Sequence, residues 1–169
     1  MMIKKKILFL CLIILIIQYS CEKTKDPTVG DIVVNELMSL NSSVVADQNG
    51  EYDDWIELFN LSAATMDISG YYLTDNKSNL LKWQIPPATS IAGNGYLIIW
   101  ADNDTIQTGL HANFKLSADG EVVVLSNPDG TVIDEIVYPA QTLELSYSRH
   151  PNGTGTFKWQ NATFERTND

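Results

Sequence analysis

Residues 50–60 read Gly-Glu-Tyr-Asp-Asp-Trp-Ile-Glu-Leu-Phe-Asn, an acidic, turn-forming front that runs into a strand-like back. From Asp54 onward, successive side chains alternate between the two faces of an extended strand. Ile56 and Leu58 then share one face, and Trp55, Glu57 and Phe59 the other. The charge at Glu57 marks its own face as the wetter one, which sends Ile56 and Leu58 into a core. Trp55, Glu57 and Phe59 are left on the outer face, half covered by neighbours or open to a partner. Together with His111 they make the candidate binding surface of the sequence.

Runs of the same kind recur on either side of this strand. They fall at 32–37, 71–74, 81–85, 96–100, 122–126, 132–138, 146–149 and 156–160, and are rich in Val, Ile, Tyr, Trp and Leu. Between them stand Gln48-Asn49-Gly50, Gly93-Asn94-Gly95, Asp119-Gly120, Pro128-Asp129-Gly130 and Pro151-Asn152-Gly153. Glycine after Asn or Asp supplies the positive backbone angle that tight turns require. No stretch beyond residue 20 sustains a 3.6-residue apolar period over three turns. About nine short strands separated by turns predict an all-β protein, an antiparallel β-sandwich spanning 32–160. A polar tail, 161–169, follows it.

The front of the chain reads as an address. Lys4, Lys5 and Lys6 precede an apolar run at 7–17, shorter than the roughly 20 residues a membrane-crossing helix needs. A positive start, a short apolar middle and a small residue before a cut form the pattern of a secretion signal, here 1–20. The segment Gln18-Tyr19-Ser20-Cys21 resembles a bacterial lipobox, whose cysteine becomes the lipidated first residue of the mature protein. Only Cys11 and Cys21 occur in the chain, and Cys11 lies inside the segment to be removed, so no internal disulfide is expected. Residues 21–31 are polar, contain Pro27 and Gly30, and read as a flexible tether from a lipid on Cys21 to the fold.

Without the three signal lysines the chain carries 8 basic and 21 acidic residues, a net charge of −13. Such a surface repels nucleic acid phosphates and excludes nucleic acid as a partner. Cations, envelope proteins and neutral glycans stay open.

Several ordered motifs resemble one family. They are Val34-Asn35-Glu36-Leu37-Met38, Asp54-Trp55-Ile56-Glu57-Leu58-Phe59-Asn60 and Asp67-Ile68-Ser69-Gly70-Tyr71-Tyr72-Leu73-Thr74-Asp75. Further motifs are Trp83-Gln84-Ile85-Pro86, Gly95-Tyr96-Leu97-Ile98-Ile99-Trp100-Ala101-Asp102 and Leu110-His111-Ala112-Asn113-Phe114-Lys115-Leu116-Ser117. Asp119-Gly120-Glu121, Tyr147-Ser148-Arg149 and Pro151-Asn152-Gly153 complete the set. In this order they are similar to the bacterial branch of the lamin tail domain family, over residues 32 to about 159. The resemblance implies an immunoglobulin-like sandwich that acts as an interaction module, with no catalytic residue to carry over. Together with the lipobox-like segment, it leads to the expectation of a module in the bacterial cell envelope, lipid-anchored at the outer membrane and facing the periplasm or the exterior. The alternative it leaves is a carbohydrate-binding accessory to a separate secreted hydrolase or kinase-like protein.

The residues themselves offer little chemistry. His111 and His150 are the only histidines. His111, in the segment Leu-His-Ala-Asn-Phe-Lys-Leu-Ser, reads as a loop histidine that fastens neighbouring backbone; His150 precedes Pro151 and reads as solvated. There is no Gly-x-Ser-x-Gly elbow, His-Glu-x-x-His pair or phosphate-binding glycine loop, and no cofactor is implied. Asp47, Asn49, Glu51 and Asp53 alternate oxygen-bearing side chains like a calcium loop. They miss the EF-hand template, with Tyr52 where glycine belongs and Leu58 where glutamate belongs. A different calcium site needs Asp102 or Asp104 folded against them. Trp55, Trp83, Trp100 and Trp159 make a sugar-stacking platform only if several rings lie exposed and coplanar; otherwise they are core or edge cover.

Overall fold

The computed structural model describes residues 29–169, so the signal segment, most of the tether and Cys21 lie outside the described residues. A 3-10 turn at Val29–Asp31 leads into β1 (Ile32–Met38), β2 (Trp55–Asn60), β3 (Met66–Asp67), β4 (Tyr72–Thr74), β5 (Trp83–Gln84) and β6 (Ser90–Ile91). Then come β7 (Tyr96–Trp100), β8 (Gly120–Ser126), β9 (Val132–Pro139), β10 (Ser146–His150) and β11 (Thr156–Gln160). All nine expected strands are present. The two-residue pair β3 and β6 is additional, and it is too short to leave a period in the sequence.

The strands form two principal antiparallel sheets, ordered β11-β10-β1-β2-β7 and β5-β4-β8-β9. Their inner faces meet in one apolar core. Val34, Leu37, Ile56, Leu58 and Ile99 come from the first sheet, and Leu73, Val123, Leu125, Ile136 and Tyr138 from the second. Ile56 and Leu58 are both fully buried there, as the alternation requires. The fold is the all-β, immunoglobulin-like sandwich.

A β-bulge between Val34 and Glu36 resets the phase of β1. One extra residue, Asn35, turns both itself and Glu36 to the outer face and returns Leu37 to the core. The bulge frees the backbone of Val34 from its ladder, and an ion pair takes it up. Asp134 Oδ2 accepts from the Val34 N–H (2.8 Å), while Arg149 Nε donates to the Val34 carbonyl (2.8 Å). Arg149 Nη2 also donates to both oxygens of Asp134, at 2.9 and 2.8 Å, so β9 and β10 are joined across the bulge.

The outer face of β2 corrects the sequence expectation. Trp55 and Glu57 are fully buried and Phe59 is 8% exposed, so none of them is open to a partner. The residues beyond β11, expected as a polar tail, fold back over this sheet as a strap. Phe164 meets the ring of Trp55 edge-on at 5.2 Å, and Trp55, Met38 and Trp100 make a second small core beneath it. The Glu165 N–H donates to Glu57 Oε2 (2.6 Å), and the Thr163 N–H donates to Glu36 Oε1 (2.9 Å). Asn168 Nδ2 donates to the Asn35 carbonyl (3.2 Å). Asn35 Nδ2 in turn donates to Glu57 Oε1 (2.8 Å). Glu57 is thus at the centre of the covered face, and not a mark of solvent. Burial pushes its carboxyl up to about 8, aided by the negative charges of Glu36 and Glu165 and opposed by the Asn35 and Glu165 donors. Burial likewise raises Glu36.

Two ends of the sandwich can be told apart. The chain enters the sandwich at Ile32, which pairs with Asn60, while Met38, Trp55 and Trp100 align at the opposite, distal end. The loops 39–54, 101–119 and 140–145 gather at this distal end; Ser39, from the first, donates to Gln141 of the third.

Two expectations follow. Phe164→Ala removes the ring that seals Trp55 and costs about 2 kcal/mol, less than a fully buried phenylalanine; thermal melting should fall and Trp55 fluorescence shift to the red. Between pH 4.5 and about 8 the folded chain keeps a proton on Glu57 that the unfolded chain releases, so stability is greatest below this window and is lost as pH rises through it. Asp54, raised by burial to about 7, acts in the same sense. Melting at pH 9 should lie below that at pH 5 by a stability difference on the order of a few kcal/mol.

Candidate functional site

The acidic front of the opening stretch sits at the distal end, and its shape comes from Asp47. Asp47 Oδ1 accepts the N–H groups of Asn49 and Glu51, both at 2.8 Å, while the Asp47 N–H donates to the Glu51 carbonyl (2.8 Å). Gly50, with φ of 84°, supplies the left-handed residue the turn needs. The turn brings one carboxylate oxygen each of Asp47, Glu51 and Asp53 within 4.8 Å of one another. Asn49 does not join them, because its Nδ2 donates to Gln107 Oε1 (2.5 Å) on the facing loop.

That facing loop carries Asp102 and Asp104. A cavity of about 240 Å³ opens between the two loops, lined by Glu51, Asp53, Asp102, Asp104, Gln107 and Lys115. The approach of Asp102 and Asp104 that a non-EF calcium site requires is therefore present. Gln107 Nε2 bridges the two loops, donating to Glu51 Oε2 (2.6 Å) and Asp104 Oδ2 (3.2 Å). Lys115 is the one cationic residue in the lining. Two like charges 4 Å apart repel by about 4 kcal/mol near a protein surface, so the cluster is under electrostatic load. Burial raises the Asp53 carboxyl, and the charges of Asp102, Glu51 and Asp47 add to the rise.

His111 lies behind this cavity, only 4% exposed. Its Nδ1 meets Asp102 Oδ2 at 2.5 Å and its Nε2 meets Gln48 Nε2 at 2.7 Å. Gln48 Nε2 also donates to the Thr108 carbonyl, which fixes the amide as donor. His111 Nε2 is then the acceptor, and Nδ1 carries the proton that goes to Asp102. Both ring nitrogens are spent on loop–loop contacts, and the place of a substrate is taken by the Gln48 amide. Gly109 keeps the contact open: a Cβ there would come within 3.2 Å of Gln48 Nε2 and 3.4 Å of His111 Nε2. His111 holds the loops through the side chains of Asp102 and Gln48, where the sequence led to neighbouring backbone, and its burial takes it out of the expected binding surface. His150 is half-buried, not solvated; its Nδ1 lies 2.5 Å from the Asn168 carbonyl oxygen of the strap.

The aromatic residues divide in the same way. Trp55, Trp83 and Trp100 are buried. Trp159 is half-buried on the edge hairpin β10–β11, with Tyr147 at 4.7 Å and Phe157 beyond it. These rings are inclined by 47° and 33°, and so do not form a coplanar row.

The lamin tail domain profile matches residues 25–140, more than half of the chain. The chain belongs to the lamin tail domain family. The family is immunoglobulin-like and generally serves as a non-catalytic interaction module. The match ends before β10, whereas the resemblance drawn from the sequence runs on to about residue 159. No curated protein matches the chain. Gln48 and Lys115 stand in the sequence only as parts of a turn and a family motif, and Gln107 not at all; none of the three is marked there as a site residue. Isolated amides and a lone lysine in loops carry no local signal, and only the fold sets them beside the acidic turn.

Removing the His111 ring by His111→Ala leaves Asp102 buried without its partner, which costs about 3–5 kcal/mol. The expected result is a melting temperature lower by about 10 °C in calorimetry, with the apo fold otherwise retained by circular dichroism.

Proposed function

We propose that this lamin tail domain protein is a lipid-anchored, non-catalytic module that presents a protein-interaction surface in the bacterial cell envelope. The observation that carries the reading is polarity along the sheet. The tether enters at Ile32, and the three connecting loops gather some seven residues of strand away, at the Met38 end. A domain hung from Cys21 therefore points its loops away from the membrane. Those loops carry exposed apolar groups on an acidic ground, with Ile106 93% exposed and Tyr52 47% exposed. The surface lies here and not on Trp55 and Glu57, which the strap covers, or on Phe59, which is buried beside Tyr96 and Gly153. Lys4–Lys6, the apolar run and the lipobox-like segment support export and acylation at Cys21, facing the periplasm or the exterior from the outer membrane. Tethering raises the local concentration of the module near partners on the same surface.

A second reading rests on the β10–β11 hairpin. Without a coplanar row it keeps one ring, the half-buried Trp159, as a single stacking surface for a glycan on an accessory module to a separate enzyme.

Fractionation and crosslinking separate these readings. Full-length protein should partition with membranes and carry acyl chains by mass spectrometry, and Cys21→Ser should release it. A photo-crosslinker at Ile106 should capture an envelope protein that one at Val132, exposed at the start of β9 on the Ile32 side of the sandwich, does not. Equal capture from both positions defeats the distal-surface reading. Glycan-array binding lost in Trp159→Ala favours the second.

A further inference from the structure

We propose that Asp47, Glu51 and Asp53, with Asp104 of the facing loop, form a calcium-binding site at the distal end of the sandwich. The acidic cluster alone does not carry this. The deciding observation is the second oxygen of Asp47. The residue is only 8% exposed, and its Oδ2 is buried with no hydrogen-bond partner, while Oδ1 is occupied by two backbone N–H groups. Buried carboxylate oxygens are nearly always satisfied, and one without a donor marks a place for an ion or a water. The Asp47 carboxylate belongs to the triad whose oxygens lie within 4.8 Å of one another, a spacing that one cation spans.

The surroundings favour the same occupant. The cavity beside the triad is walled by Glu51, Asp53 and Asp104, and is large enough for an ion with its remaining waters. Asp102 is not a ligand, because its oxygens are used by His111 and by the Asp104 N–H (2.9 Å); it adds negative charge behind the site. The Gln107 amide, which donates to both Glu51 and Asp104, stands where a cation would bridge the two loops.

Chemistry selects the ion. The donors are hard carboxylate oxygens, and the nearby imidazole of His111 has no free nitrogen, which disfavours zinc and other nitrogen-seeking metals. Three ligands come from one short turn and the fourth from a separate loop, with Glu51 exposed and adjustable. Such irregular, flexible coordination suits calcium, which takes six to eight oxygens, better than magnesium, which demands a near-ideal octahedron. The site is complete within the chain and does not depend on what the distal surface meets.

Titration calorimetry and melting of the full-length protein in detergent test it. Calcium should bind with Kd of about 10⁻⁴–10⁻³ M, the range of extracellular modules. At about 10 mM calcium the melting temperature should exceed that in chelator by about 3–8 °C. Asp47→Asn keeps the acceptor for the turn and removes the unpaired charge. It should melt at or above wild type in chelator and lose the calcium response, and Asp53→Asn should lose it too. Absence of both heat and shift in wild type overturns the proposal. So does a calcium shift that survives in both variants, or an equal response to magnesium. Crosslinking at Ile106 reads the interaction surface separately, so either result can fail without the other.

Discussion

A carboxyl group shut away from solvent is tolerated only where donors are aimed at its oxygens. Glu57 is such a group in the middle of β2, with negative rather than positive charges as its nearest ionisable neighbours. Asn35 serves one oxygen and the Glu165 N–H the other. The first donor is in place only because the bulge in β1 turns Asn35 outward; the second exists only if the strap lies down. Bulge, buried acid and strap are consequently one device. With it, β1 and β2 are covered on both faces, and the rings of Trp55, Trp100 and Phe164 form a second core outside the sandwich. Without it, the same face would present a charge and the indole rings of Trp55 and Trp100 to water.

The distal loops solve a different problem by similar means. Long connections such as 39–54 and 101–119 need their backbone groups satisfied. Asp47 closes one turn, Asp102 holds the start of the other, and the His111–Gln48 contact pins them together. The histidine has the local look of half a catalytic relay, but its environment makes it a rivet. The loops it holds are left free to differ in their exposed residues without disturbing the core, as expected of an interaction module built on a rigid scaffold.

The strand content and the inward side of β2 were legible because alternation is a local property. Ile56 and Leu58 reveal their side through their immediate neighbours. The fate of Glu57 was not legible, since it turns on residues 108 positions away. The strap, Asn-Ala-Thr-Phe-Glu-Arg-Thr-Asn-Asp, contains one large apolar residue, and the rest of its grip comes from the backbone N–H groups of Thr163 and Glu165 and from the short polar side chains of Thr163 and Asn168, which form no local pattern. In the acidic turn, the alternation of Asp47, Glu51 and Asp53 was visible, and so was the need for Asp102 or Asp104. The departure of Asn49 to Gln107 was not, because amide pairing across loops follows from the fold alone. His111 shows the boundary well: its fastening role could be read, but not its partners.

The strap also bears on the timetable of synthesis. The Asn35 carbonyl is met by Asn168, 133 positions later, and Glu36 by Thr163, 127 positions later. Contacts of such separation form late and slowly. A nascent chain of this protein emerges with its first strand incomplete, and the donors of residues 163–168 reach it last. The outer face of β1 and β2 is therefore sealed last, after residues 161–169 have emerged, and the core beneath it has to hold its shape unaided until then.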